Sequence, residues 1–113
     1  MVHHIVMWNF RSEVPEEDRA ARMKDMAEHL EGLVGTIPGL LSAKFITTPL
    51  SSSTHDMALV TTLEKAEDVA FYGSHPAHVN VADTYVRPYV CDRACIDYEA
   101  VSYTHLRAHE TLR

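Results

Sequence analysis

Apolar and polar positions change period several times along the chain, and each change marks an element. From His3 to Phe10, His4, Val6, Trp8 and Phe10 alternate with His3, Ile5, Met7 and Asn9. That is the two-residue period of a strand, here with apolar groups on both faces. Pro15 follows, with Glu16, Glu17 and Asp18 behind it. A proline suits the first helical position, where its missing N–H costs least, and acidic residues there oppose the positive end of the helix dipole. Met23, Met26, Ala27, Leu30, Leu33 and Val34 then recur at steps of three and four, giving one apolar stripe on a helix expected to stop by Gly35 to Gly39, around Pro38.

Leu40 to Thr47 and Met57 to Leu63 read as two further strands, joined across Pro49, Ser51, Ser52 and Ser53, residues that favour turns. Glu64 to Tyr72 carries Ala66, Val69, Ala70 and Tyr72 and reads as a second helix ended by Gly73. Pro76 opens a third helix on the same logic as Pro15, and Pro88 closes it. Tyr89 to Tyr98 supplies a fourth strand.

Strand, helix, strand, strand, helix with an added helical piece, strand is the split βαβ order of ferredoxin-like folds. An α+β protomer follows, with a four-stranded antiparallel sheet and helices on one face. Ile5 and Met7 oppose Val6 and Trp8, and Met57 and Leu59 oppose Ala58 and Val60, so both sheet faces are apolar. Helices cover one face; a second copy of the sheet would cover the other. A homodimer through the sheet face is therefore expected.

Composition narrows the function. A chain of 113 residues, 46% hydrophobic, has the size and balance of one globular domain. No apolar stretch approaches the roughly 20 residues that a membrane span needs. Met1 to Phe10 lacks the basic leader and small-residue cleavage site of a signal peptide, which favours the cytoplasm. The net charge of -6, from 10 basic and 16 acidic residues, repels phosphate backbones, so nucleic acid is excluded as a partner. Four strand steps would set Cys91 and Cys95 about 13 Å apart, beyond the roughly 7 Å that a disulfide spans. Their spacing is also too long for a CxxC redox motif. Two buried strand thiols are expected.

The chain divides into a domain, 1–99, and a tail, 100–113. Val101 to Thr111 reads V-S-Y-T-H-L-R-A-H-E-T, which resembles the translation of a transposase sequencing adapter. The tail is expected to be carried over from such an adapter, with no evolved role for His105 or His109.

Six segments carry a family resemblance: H-H-I-V-M-W-N-F (His3 to Phe10), I-P-G (Ile37 to Gly39), H-D-M-A-L-V (His55 to Val60), Y-G-S-H-P-A-H-V (Tyr72 to Val79), V-R-P-Y-V (Val86 to Val90) and I-D-Y-E (Ile96 to Glu99). In this order they resemble the stress-responsive A/B barrel domain, over Val2 to Glu99. The resemblance implies a ferredoxin-like protomer that pairs into a dimeric α/β barrel, with a pocket between sheet and helices. One plant branch of that family consists of polyketide cyclases, which close a linear poly-β-ketone by aldol condensation without a cofactor. By that similarity His78 matches the catalytic base, Tyr72 the residue that holds substrate, and His4 a further pocket histidine. The cyclases carry another histidine on the third strand where this chain has Met57, and His55 falls two residues earlier.

Elementary chemistry bears on the same residues. With Pro76 at the first helical position, His78 stands at the third, where the helix end disfavours imidazolium and leaves a neutral base. Tyr72 lies across a glycine-containing bend, its hydroxyl a neutral donor. His4 shares a face with Val6 and Trp8, which would line the substrate side of the sheet. His75 falls at the cap before Pro76, where a local hydrogen bond is expected. No metal site is expected, since His3 and His4 face apart and no carboxylate or thiol stands at ligand spacing beside His75 and His78. No cofactor is implied. The reading that results is a pocket for a small hydrophobic ketone or polyketide, with cofactor-free acid/base chemistry. The alternatives are a non-catalytic dimeric stress or ligand-binding protein, and a cofactor-free monooxygenase of the antibiotic-biosynthesis type, for which Trp8 and Asn9 would be needed.

Overall fold

A computed structural model describes residues 1–100; the expected adapter-derived run from Val101 to Arg113 lies outside the described residues. Strands β1 (Val2–Phe10), β2 (Leu40–Ile46), β3 (Met57–Leu63) and β4 (Val90–Glu99) form one antiparallel sheet in the order β2-β3-β1-β4. Helix α1 (Arg19–Glu31) crosses between β1 and β2, and α2 (Glu67–Ser74) and α3 (Pro76–Val81) cross between β3 and β4. This is the ferredoxin-like arrangement that the order of elements predicts. Among the described residues no helix is long and apolar enough to cross a membrane.

The helix-facing side of the sheet holds the core. Val2, Val6 and Phe10 of β1 and Met57, Leu59 and Leu63 of β3 are buried there, against Met26 and Leu30 of α1. The stripe predicted for α1 runs out sooner than its spacing suggests. The helix ends at Glu31, the chain continues in turns through Leu33, and Val34 is exposed. Pro15 is extended and precedes a single 3-10 turn, Glu16–Asp18, so α1 itself begins at Arg19.

Gly39 is needed where it stands. Its φ is +90°, and the carboxyl atoms of Asp68 lie 2.6 to 2.9 Å from where a Cβ would be. That carboxylate accepts a hydrogen bond from Lys65 N at 3.1 Å, which holds Glu64 to Ala66 in a bend. Helix α2 consequently begins at Glu67, not Glu64. It also passes through Gly73, which has no left-handed conformation, and stops after Ser74. The stop belongs to His75, held extended at ψ 133° by the ring of Pro76.

Pro76 is the first residue of α3, and His75 caps it: Nδ1 accepts from Ala77 N at 3.1 Å. The helix then widens into one π turn, Ala82–Val86, in which Arg87 N donates to Ala82 O five residues back. Such turns widen the helix, often beside a functional site.

Strand β4 contains the other irregularity. Cys91 pairs with Asn9 but Ala94 pairs with Met7, so β4 has one more residue than β1 over that interval. Asp92 takes up the surplus at φ +55°, a conformation Asp tolerates better than most residues. Its carboxylate also accepts from Asn9 Nδ2 at 3.2 Å. Beyond the bulge the faces of β4 are exchanged: Cys95 and Asp97 pair with the inward-facing Val6 and His4, Ile96 and Tyr98 with the outward-facing Ile5 and His3. Cys95 is exposed and Cys91 half-buried. The expectation of two buried thiols therefore fails, because β4 is an edge strand and its inner face opens onto a cavity.

Candidate active site

Between the inner face of the sheet and the helices lies a cavity of about 440 Å³, in the range of small-molecule sites. Its sheet wall comprises His4, Val6 and Trp8 from β1 and Cys95 and Asp97 from β4; Tyr72 and His78 close it from α2 and α3. All five residues expected at a site thus line one space. Asn9 faces away, its Oδ1 accepting from Asp56 N at 3.0 Å, so it does not join Trp8 there. Met57 is buried in the core, and His55, beside Thr54, stands outside the cavity.

Tyr72 and His78 are neighbours, with ring centroids 4.4 Å apart. The Tyr72 hydroxyl is buried and has no hydrogen-bond partner among the described residues. Burial pushes its pKa up to about 12, so the phenol stays protonated and is a donor without an acceptor. His78 is tied differently. Its Nδ1 lies 3.0 Å from Gly73 O, and since a carbonyl only accepts, Nδ1 carries the proton and Nε2 keeps a lone pair. Burial lowers the pKa of His78 below the ordinary 6.5; the bond to Gly73 O partly offsets this, and the positive charges of Arg87 and Arg93 add to the lowering. A neutral His78 is what the sequence predicts, and its leading cause is desolvation, with neighbouring cations adding to it.

His4 is 8% exposed, and its Nδ1 hydrogen-bonds Asp97 Oδ1 across the β1–β4 ladder. The carboxylate accepts from Nδ1, so that nitrogen carries a proton and the ring is held in a fixed orientation. The His4 ring stands 6.1 Å from Tyr72, edge to face. Reasoning along the chain missed Asp97, Cys95, Arg87 and Arg93, all of which line the cavity. Their inward orientation depends on the Asp92 bulge and the π turn, and the acidic residue within I-D-Y-E was the one available signal.

The stress-responsive A/B barrel domain model matches residues 2–100. No curated protein matches the chain. Among solved structures, a Bacteroides fragilis protein of unknown function, described as dimeric with a ferredoxin-like fold, is 30% identical, with a TM-score of 0.79 over 88% of this chain and 95% of its own. A Mesorhizobium loti protein of the same domain family is 16% identical, with a TM-score of 0.67 over 89% of this chain and 97% of its own. The hydroxynitrile lyase of Passiflora edulis is also 16% identical, with a TM-score of 0.64 over 89% of this chain and 94% of its own. The last two share the fold.

Proposed function

The chain belongs to the stress-responsive A/B barrel domain family, and from that premise we propose that it is a homodimer whose cavity performs cofactor-free proton transfer on a ketone-bearing substrate, as in aldol ring closure. The observation that carries this reading is the pairing of a buried, partnerless phenol with a histidine whose free nitrogen is unprotonated at neutral pH. His78 Nε2 takes a proton from the carbon beside a carbonyl. Tyr72 donates a hydrogen bond to that carbonyl oxygen, which becomes the enolate oxygen, and so stabilises charge where it develops. The enolate carbon then forms a bond to a second carbonyl carbon, and the proton held by His78 passes to the resulting alkoxide. Val6 and Trp8 supply the apolar wall for the substrate chain, and Asp97 orients His4 beside it.

The dimer rests on the outer sheet face, where Ile96 is 57% and Tyr98 45% exposed next to Ile5, Met7 and Val60. A second copy of this face matches it in kind, and the Bacteroides fragilis relative is described as dimeric.

Exchange of the methyl protons of acetophenone in D₂O, followed by NMR, tests the chemistry. The protein is expected to accelerate exchange, His78→Ala to lose roughly 100- to 10,000-fold of the acceleration, and Tyr72→Phe to lose a smaller part. The rate falls with acid only below the ordinary histidine value of 6.5, where His78 gains its proton. Exchange no faster with the protein than without it would leave a binding module in place of an enzyme.

A further inference from the structure

Three donors of different chemistry meet on the sheet wall of the cavity. Cys95 and Asp97 stand two residues apart on β4 and share a face, and Asp97 is the cross-strand partner of His4. Cys95 Sγ lies 3.7 Å from His4 Nδ1 and 3.7 Å from Asp97 Oδ1. One ligand atom from each of the three falls within 4.8 Å of the others. A tetrahedral ion with sulfur at about 2.3 Å and nitrogen or oxygen at about 2.0 to 2.1 Å would set such atoms roughly 3.4 to 3.6 Å apart. Two of the three edges are near that length. The third, between His4 and Asp97, is shorter because these two share a hydrogen bond, and it has to open to admit an ion.

We infer that His4, Cys95 and Asp97 form a binding site for a divalent transition metal of the zinc class, with the fourth coordination position open to the cavity. Thiolate and imidazole together favour such ions over magnesium or calcium, which take oxygen ligands. On binding, the Cys95 thiol proton leaves to solvent and the imidazole proton moves from Nδ1 to Nε2. Thiolate and carboxylate then balance the two charges of the ion. A second feature also asks for a ligand here: Tyr72, 1% exposed, lines the same cavity, and its hydroxyl has no acceptor among the described residues. A water or substrate oxygen on the open position supplies one. The inference does not rest on the proton-transfer reading, but it has a consequence for it. An ion at this site takes His4 and Asp97 out of their mutual hydrogen bond, so metal and the metal-free chemistry compete.

Spacing along the chain hides this set, because one ligand lies on the first strand and two on the last. The expectation of no metal site weighs His3 against His4 and His75 with His78, and does not reach His4 together with β4.

Cobalt(II) added to the full-length chain tests the site through its colour. The expected result is one equivalent bound, with a thiolate-to-cobalt charge-transfer band in the near ultraviolet and strong visible bands of a tetrahedral ion, both displaced by zinc. Cys95→Ser should abolish the ultraviolet band, and Asp97→Asn should weaken binding roughly tenfold or more. Cys95 and Asp97 are exposed, so both variants are expected to fold, which circular dichroism checks. Cys91→Ser, and the double variant His105→Ala, His109→Ala, should leave the spectrum unchanged. Absence of the band, its survival in Cys95→Ser, or its loss in either of the last two variants would overturn the assignment.

Discussion

On the helix side of β1, His4, Val6 and Trp8 border a cavity that also holds Tyr72, His78 and Asp97. On the opposite side of the same strand, Ile5 and Met7 are half-buried beside the exposed Ile96 and Tyr98. Ionisable groups thus interrupt the otherwise apolar covered face where it borders the cavity, while Ile5, Met7, Val60 and Ile96 form an apolar centre on the open face, the reverse at those places of a sheet that meets water on one side. Strand β4 shows the reversal most clearly: its last residues alternate Cys95 and Asp97 inward with Ile96 and Tyr98 outward. The proposed dimer uses the open face, and the proposed site uses the covered face with its His4–Asp97 pair.

The largest expected effect tests the outer face. Val60 sits near the centre of the sheet, paired with Ile5 on one side and Lys44 on the other. Val60→Asp would bury an uncompensated charge between protomers and weaken the dimer by roughly 100-fold or more, read by sedimentation velocity across a dilution series. A dimer unchanged by it would place the contact elsewhere.

The inner face is sharpened by alkaline denaturation. Tyr72 has a pKa of about 12 in the fold against 10.0 when exposed. Below pH 10 both states keep the proton and the stabilisation is intact; as pH rises from 10 toward 12 the unfolded chain ionises first and stability drops. The drop attributable to Tyr72 is about 2 to 3 kcal/mol. It should be absent from Tyr72→Phe, which also loses a buried unpaired hydroxyl and so gains about 1 kcal/mol at neutral pH. Equal alkaline losses in the two proteins would mean that the phenol is hydrated.

A smaller effect tests the device that separates the faces. Asp92→Val places a β-branched side chain at φ +55° and should cost about 1 to 2 kcal/mol, measured as a lower urea midpoint, whereas Asp92→Gly should cost less. Equal costs would show that the bulge is not held by this conformation.

Most of the frame was legible because short-range chemistry decides it. Alternation on both sides of His3 to Phe10 gave the strand and its two apolar faces. Pro76 alone gave the cap at His75, the start of α3 and the place of His78 within it. The end of α2 was misread because glycine is a common stop, yet the residue before a proline is under a stronger constraint. Tyr72, His78 and His4 were found partly through the family resemblance, which supplies roles that spacing does not. The inward turn of Asp97 and Cys95 was out of reach, since it depends on one surplus residue at Asp92, and plain alternation from Val90 puts both on the wrong face. The His4–Asp97 contact joins the two ends of the domain through strand pairing, and no local pattern announces that.

Equilibrium sedimentation of the full chain at micromolar concentration tests the division of the two faces most directly. Twice the protomer mass is the predicted result, with Val60→Asp sedimenting as one protomer. A wild-type chain that is folded and monomeric at that concentration would contradict it, because Ile5, Val60 and Ile96 would then face water with nothing to cover them.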